Sequence, residues 1–598
     1  MAFFTRLRAP FRRSTTGETD PAVSMSAAEP PKQEANVETG SAVARNGDSD
    51  TDGHPVPDHG QHGVHDVEAV TRTWSKASLI AVFINIWFLY FVNAFQSQIL
   101  SNLLPYVTSD WESHALLNVI YVVSDAMTAA LFIPLAKIMD VWGRAEGFLF
   151  MAILSTVGLV MMAGCHNLPT FCAAYVFYNI GFSGITFCVD VITADSSKLK
   201  NRGLAYAFTS SPYIITAFAG PKAAEDALAL NWRWGFGAFA IIFPVVASPL
   251  YCILKYNLRK AEKEGHLRRE KSNRTVMQSI WHWTMEFDLI GVFLFSAGLV
   301  VFFLPFDIAT SAPDGWGTGY IIAMIVVGCV MLVIFILWET FCATAPLLKF
   351  SFLSDRTVIG ACLLDATYQL CYYCWNNYFT SFLQVVNDLS VSNAGYVSNT
   401  FDVVSGVLLL FVGWLIRRTG RFRWLLFVAV PLYIFAQGLM IYFRRPNQSV
   451  GYLVMCQVFI SIGGAVFIIV EQLAILAAVD HQHVAATLAL LNVVGTVGDA
   501  IGSTISGAIW TNTFEHALSM YLPSSALPDL EDIYENLDTQ LSYPVGGAVR
   551  LAIQHAYGYA QSRMLAAGTA IMALSLIWMF MIRDINVGKV AQVHGTVF

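Results

Sequence analysis

Apolar runs of about twenty residues, the length that crosses a bilayer as a helix, follow one another along this chain. They are broken by short polar stretches. The pattern predicts helices at 77–98, 115–138, 146–165, 170–193, 203–220, 234–254, 287–306, 319–340, 357–384, 392–416, 422–442, 450–476, 484–511 and 563–582. The runs are continuous rather than alternating, so they read as helices and not as barrel strands. Residues 1–72 lack such a run and are rich in Asp, Glu, Ser, Gly and Pro, a composition that cannot bury enough apolar surface to fold alone.

Composition agrees with a polytopic membrane protein. The chain is 56% hydrophobic and 13% charged, with mean hydropathy +0.54, whereas a soluble domain carries about 25% charged residues. The net charge of −7 matters less than where the charges lie. Lys137, Arg144, Lys198, Lys200, Arg202, eight basic residues from Lys255 to Arg274, Lys349, Arg356, Arg417, Arg418, Arg421 and Arg423 fall on one side of the predicted topology. The other side holds Lys222, Arg233, Arg444, Arg445, Arg550 and Arg563. The positive-inside bias then puts both termini in the cytoplasm. Asn447 of Asn447-Gln-Ser449 faces outward and is a glycosylation candidate, while Asn273-Arg-Thr275 faces inward. The first 70 residues contain no secretory signal. Their Arg6, Arg8, Arg12 and Arg13 suit anionic headgroups. His54, His59, His62 and His65 read as a solvated tail or a transition-metal cluster. Cys371 and Cys374 form a C-x-x-C inside a predicted span, where small core residues are the simpler reading. No nucleic-acid partner, resident metal or cofactor is expected.

One polar loop organises the rest. Ala136 to Gly147 reads AKIMDVWGRAEG, with Asp140, Gly143 and Arg144 spaced D-x-x-G-R. Gly413, Arg417, Gly420 and Arg421 repeat part of this signature between two later runs. The first copy resembles the loop-2/3 motif of the major facilitator superfamily. Ala136 replaces the usual Gly, and Arg417 replaces the Asp in the second copy. The resemblance implies two six-helix halves, each of inverted three-helix repeats, with a midplane site between them. The expected fold is an all-α polytopic membrane protein, a major facilitator fold with 14 transmembrane helices. Its expected parts are a disordered cytoplasmic tail (1–72), an N-terminal half (73–254), a cytoplasmic loop (255–286) and two inserted helices (287–340). A C-terminal half (341–582) with an outer loop (512–562) and a cytoplasmic tail (583–598) complete it. Asp140, Gly143, Arg144, Gly420 and Arg421 are the gating candidates.

Carboxyls inside spans are costly and line cavities or exchange protons. Asp190, Glu471, Asp125, Asp365, Asp402 and Asp499 are the proton-coupling candidates, and Asp307 lies near an outer helix end. Asp190 follows Gly181 by nine residues and Glu471 follows Gly463 by eight, in corresponding helices of the two halves. Tyr178, Asn179, Tyr213, Tyr368, Gln369, Tyr372, Tyr373 and Asn376 suit a cavity for a bulky, uncharged ligand that forms hydrogen bonds. For the ninth helix the alternative is an interfacial aromatic belt. The outer loop brings Phe514, Tyr521, Tyr534, Tyr543 and Tyr557 as a lid or as packing.

Longer runs resemble fungal siderophore–iron transporters: ADSSKLKNRGLAYAFTSSPYIITAFAGP from Ala194, NWRWGFGAF from Asn231, VEQLAILAAVDHQHVAATLALL from Val470 and AIGSTISGAIWTNTFEHAL from Ala500. That resemblance implies proton symport of ferric siderophores, often hydroxamates, by a monomeric, non-enzymatic carrier in the plasma membrane or in endosomal vesicles. The drug-exporter pattern is weaker. The fourth helix has no Arg in Tyr175–Gly181, and the fifth keeps only Gly220-Pro221 of the exporters' glycine run. Export of drugs or glutathione, and a non-transporting sensor, are the rival readings.

Overall fold

The computed structural model describes residues 70–71, 74–111, 117–264, 275–309, 312–343, 355–479, 483–589 and 597. The four tail histidines, the four N-terminal arginines, Asn273 and Lys349 lie outside them, as do most of the expected tail and part of the 255–286 loop.

The described residues are helical. The N-terminal half runs through α1 (Lys76–Ser109), α2 (Leu117–Val141), α3 (Arg144–Gly164) and α4 (Leu168–Asp195). It continues as α5 (Leu199–Ser210), α6 (Pro212–Leu230) and α7 (Trp234–Lys263). Then come α8 (Val276–Glu286), α9 (Leu289–Ile308) and α10 (Gly319–Phe341). The C-terminal half holds α11 (Arg356–Asn376), α12 (Phe379–Asn387), α13 (Val391–Ser398), α14 (Thr400–Thr419), α15 (Arg423–Phe443), α16 (Val450–Ala477) and α17 (Val484–Tyr521). It closes with α18 (Leu530–Glu535), α19 (Leu537–Ser542), α20 (Ala548–Met572) and α21 (Ser575–Met581). By length and composition, 12 helices among the described residues can cross a membrane. Two columns fall outside that set: α5–α6, interrupted where Pro212 follows Ser211, and α11–α12, rich in Tyr, Asn and Cys.

Several helices outrun the expected spans, because hydropathy marks only what lipid covers. α1 continues to Ser109 through Gln98, Ser101 and Asn102, which border an interior cavity. α17 runs to Tyr521 and α20 starts at Ala548. The segment between them is therefore 522–547, shorter than the expected outer loop 512–562. Phe514, Tyr521 and Tyr557 are helical; Tyr534 lies in α18 and Tyr543 caps α19. The 255–286 stretch includes the end of α7 and all of α8, the latter started by a capping box at Thr275 and Gln278.

Small residues set the closest contacts. A Cβ on Gly158 would lie 2.3 Å from the Tyr178 nitrogen, and one on Gly181 would lie 2.2 Å from the Ser155 nitrogen. α3 and α4 meet backbone to backbone there, as apolar helices do when van der Waals packing holds them. Gly181 is thus a packing residue. α9 packs on α2 and α17 through Val122, Ala126, Leu299, Phe303 and Ala500. α10 is joined to α9 where the Trp338 indole donates to Asp288 at 2.7 Å.

Candidate functional site

Between the halves lies a cavity of about 380 Å³, within the usual range for small-molecule sites. All eight candidate ligand residues, Tyr178, Asn179, Tyr213, Tyr368, Gln369, Tyr372, Tyr373 and Asn376, line it. So do Asp125, Asp402 and Asp499. Asn179 donates to Asp125 at 3.1 Å within one half. Gln98 of α1 donates to Asp402 of α14 at 2.6 Å, across the halves. Aromatic rings meet around the wall, with Tyr121 edge-on to Tyr175 and Tyr372 tilted against Phe401. Gln98, Asn102, Tyr121, Tyr175 and Asn399 also line the cavity. The sequence places Gln98 at the last position of its first expected helix and Asn102 beyond it, in a loop, so neither reads as part of a span.

Asp190, Asp365 and Glu471 are buried but do not line the cavity. Asp190 accepts from the Tyr90 hydroxyl at 3.1 Å and the Gln472 amide at 3.4 Å, so it bridges α1, α4 and α16. Asp365 and Glu471 lie against one another, and Asp365 presses on Gly495 of α17. Two carboxylates in contact repel unless one carries a proton.

At one end of the cavity sits the D-x-x-G-R loop. Gly143 adopts φ 118°, open to glycine alone. Arg144 then reaches Asp140 at 2.6 Å and Asp195 at 3.0 Å, with all three side chains buried. Asp195, at the end of α4, was not among the candidates. Lys255 pairs with Glu146 beside them. The second copy is built differently. Gly420 ends α14 at φ 70°, and its carbonyl accepts from Val587 at 2.9 Å. Arg421 pairs with Asp584 at 3.0 Å in an exposed setting. The halves touch tightly at this end, where a Cβ on Gly413 would lie 2.9 Å from the Gly203 carbonyl.

The halves also touch at the opposite end. Tyr106 of α1 donates to Gln384 of α12, and the Leu537 nitrogen of α19 donates to Ser109 at 3.2 Å. Tyr378, Trp510, Phe514 and Tyr557 stack in the interior there, with Tyr378 to Trp510 at 4.1 Å and Trp510 to Phe514 at 4.0 Å. Tyr534 joins the stack on Phe514, whereas Tyr521 is exposed and Tyr543 half-buried. Trp375 and Tyr378 are therefore core, not belt. The Arg444 guanidinium is fully buried, 3.9 Å from the Phe379 ring centre and 4.5 Å from that of Trp375. Arg550 donates to the Val385 and Gln384 carbonyls at 3.0 and 3.2 Å. The sequence places both arginines in loops on the less basic side; in the structure they hold the ends of α11 and α12. Cys371 donates to Gln437 and the Gly568 carbonyl, as a helix contact and not a disulfide. Asn447 sits exposed at φ 64° in the α15–α16 turn, at the end away from the D-x-x-G-R loop.

The Major Facilitator Superfamily sequence profile matches residues 86–364 and 364–522. The chain belongs to the major facilitator superfamily. Among fungal superfamily proteins, the chain is 56% identical over 592 residues to "Siderophore iron transporter mirB" of Emericella nidulans, covering 98% of each. It is 56% identical to "MFS siderochrome iron transporter D" of Aspergillus fumigatus, over 90% of each chain. It is 54% identical to "MFS siderochrome iron transporter 1" of Gibberella zeae, over 90% of this chain and 88% of that one. The facilitator fold is shared with the peptide transporter POT at TM-score 0.52 and 14% identity, over 87% of this chain and 99% of that one. It is shared with the human organic anion transporter MFSD10 at TM-score 0.50 and 12% identity, over 84% and 99%. The protein is a multi-pass membrane transporter of this superfamily rather than an enzyme.

Proposed function

We propose that this facilitator imports ferric siderophores of the hydroxamate class by proton symport and alternating access. The carrying observation is the cavity: tyrosines and amides from both halves surround a space between two ends where the halves meet. Phenol and amide edges suit a chelate whose outer atoms are carbonyls and amides. The fungal relatives, matched along nearly the whole chain, carry siderophore transport in their names.

The chelate enters with the end bearing α19 open and seats against Tyr372, Tyr373, Gln369, Asn179 and their neighbours. The Asp365–Glu471 pair holds one proton. Asp190, held by Tyr90 and Gln472, senses the approach of the halves. Asp125, Asp402 and Asp499 face the ligand directly. Each proton entering gains about 2.3 kcal/mol per 100 mV of potential, which drives a neutral chelate inward. The Asp140–Arg144–Asp195 cluster locks and releases the cytoplasmic face, with Gly420 and Arg421 as its looser counterpart.

The α5–α6 and α11–α12 columns cross as well, giving fourteen spans. Residues 73–254 and 341–582 are the rocking halves, and 287–340 the inserted pair. The carrier works as a monomer in the plasma membrane or in endosomal vesicles, with cytoplasmic termini and a glycan on Asn447. The test is uptake of a radiolabelled ferric hydroxamate by cells lacking their own carriers. Accumulation that an uncoupler abolishes, and that Asp365→Asn with Glu471→Gln removes at unchanged surface level, supports symport. No accumulation, with drug or glutathione efflux instead, overturns it.

A further inference from the structure

Asp307 belongs to the inserted helix α9, outside the cavity wall. It is fully buried, and neither carboxyl oxygen has a hydrogen-bond partner among the described residues. A charge buried without a partner is strongly unfavourable, so a carboxyl here is either neutral or served by water. Its place is shaped for it. A Cβ on Gly507 of α17 would lie 1.7 Å from Asp307 Oδ1 and 3.1 Å from Asn118 Nδ2. Only glycine leaves room for that carboxyl.

Beside it Asn118 Nδ2 is a buried donor without an acceptor. Ser506 Oγ and Trp510 Nε1, one position before and three after Gly507 on α17, are also buried and unmatched. Buried polar groups left over by protein partners are the usual seats of internal water. The other side of Asn118 leads to the cavity: its Oδ1 accepts from Asn377 Nδ2 at 2.7 Å, and Asn377 also donates to Ser503 at 3.0 Å. Asn377 lines the cavity. A polar path thus runs from α9 to the ligand site between apolar walls.

We propose that Asp307 is a second protonation site, outside the ligand cavity, and that water around Asn118 and Asn377 connects it to that cavity. This deepens the proton-coupling reading and rests on it. As the carboxyl O–H bond breaks, water on this path takes the proton; the reverse step reloads Asp307. The surrounding groups leave Asp307 as the acid of this spot. α2 presents Asn118, with Asp125 about two turns deeper. α17 presents Gly507, with Asp499 about two turns deeper. Tyr378, at the α11–α12 joint, is the neighbouring phenol. Tyr320 of α10 and Asp314 of the α9–α10 connection are exposed. The inserted pair would then carry part of the coupling rather than only widen the bundle.

Infrared difference spectroscopy of the full chain in lipid nanodiscs, stepped between acid and neutral pH, tests this without any chelate. The expected result is a carboxylic-acid carbonyl band that responds to the step in the native protein and is lost in Asp307→Asn. In Asn118→Leu the band is kept, but its response is slowed. A difference spectrum of folded Asp307→Asn that superimposes on the native one overturns the proposal, as does an unslowed response in Asn118→Leu. If no ferric hydroxamate is taken up while the Asp307 band behaves as expected, the substrate reading fails and the protonation site stands.

Discussion

Asp195 closes the charge cluster that the D-x-x-G-R spacing begins. Arg144 alone against Asp140 would be an i,i+4 pair of modest value; buried between two carboxylates it ties the ends of α2, α3 and α4 together, which is what the proposed lock requires. Without Asp195 the guanidinium keeps Asp140 but loses its second buried, charge-assisted hydrogen bond, at a cost of about 1.5–3 kcal/mol. Asp195→Ala is expected to lower the thermal midpoint in detergent far more than Asp584→Ala, which breaks only the exposed pair with Arg421. Equal midpoints for the two variants would remove the lock. In the cavity, Asp402→Leu deprives Gln98 of its cross-half acceptor and is expected to lower uptake by about tenfold or more, a loss of roughly 1.4 kcal/mol; unchanged uptake at equal expression counts against that contact. Sequence showed Asp140, Gly143 and Arg144 because spacing within one loop is local. Asp195 lies on another helix, and no local pattern points to it.

At the scale of elements, two contacts are where the proposed cycle would close. Gly413 and Gly203 let α14 and α5 touch backbone to backbone at the motif end. Gly413→Val is expected to hold that end apart and cut uptake while the chelate still binds; equilibrium binding of radiolabelled ferric hydroxamate to purified protein separates the two effects. At the other end, α19 covers α1 through Leu537 and Ser109. Asp538, next along α19, has its carboxyl pKa raised above the usual value, first by burial and then by nearby Asp110. A raised carboxyl pKa means that the docked segment binds the proton more tightly than the undocked one. Docking is then strongest below the ordinary carboxyl value and weakens as pH rises through the raised one. Because Asp538 keeps solvent on one side, salt screens the effect. Limited proteolysis of 522–547 is expected to quicken from acid to neutral pH, and Asp538→Asn to flatten that dependence. The expected loop 512–562 was too long because residues such as Tyr557 and Arg550 read as polar. Their phenol and guanidinium are in fact satisfied inside the protein, by Gln540 and by the carbonyls of α12.

For the whole molecule, contacts between the halves lie at both ends of the cavity, so a transport cycle must break one set while keeping the other. Tyr106→Cys with Gln384→Cys, bridged across the α19 end by a reducible bis-methanethiosulfonate linker long enough to replace the phenol and amide that meet there, is expected to stop uptake until reductant is added. Uptake continuing through a formed cross-link would rule out opening there. The helical class, the apolar runs of the 12 membrane-length helices and the eight residues that line the cavity were legible in the sequence. Each depends on composition over a window of one helix, where the cost of putting polar groups in lipid leaves few choices. Which carboxyls face the cavity was decided only by tertiary packing. Asp190, Asp365 and Glu471 look no different in sequence from Asp125, Asp402 and Asp499, yet the first three are turned into helix contacts and the last three line the space. A helix sets the angle between its own residues, but its rotation against its neighbours comes from contacts such as Gly495 on Asp365 and Gly507 on Asp307, made by residues far apart along the chain.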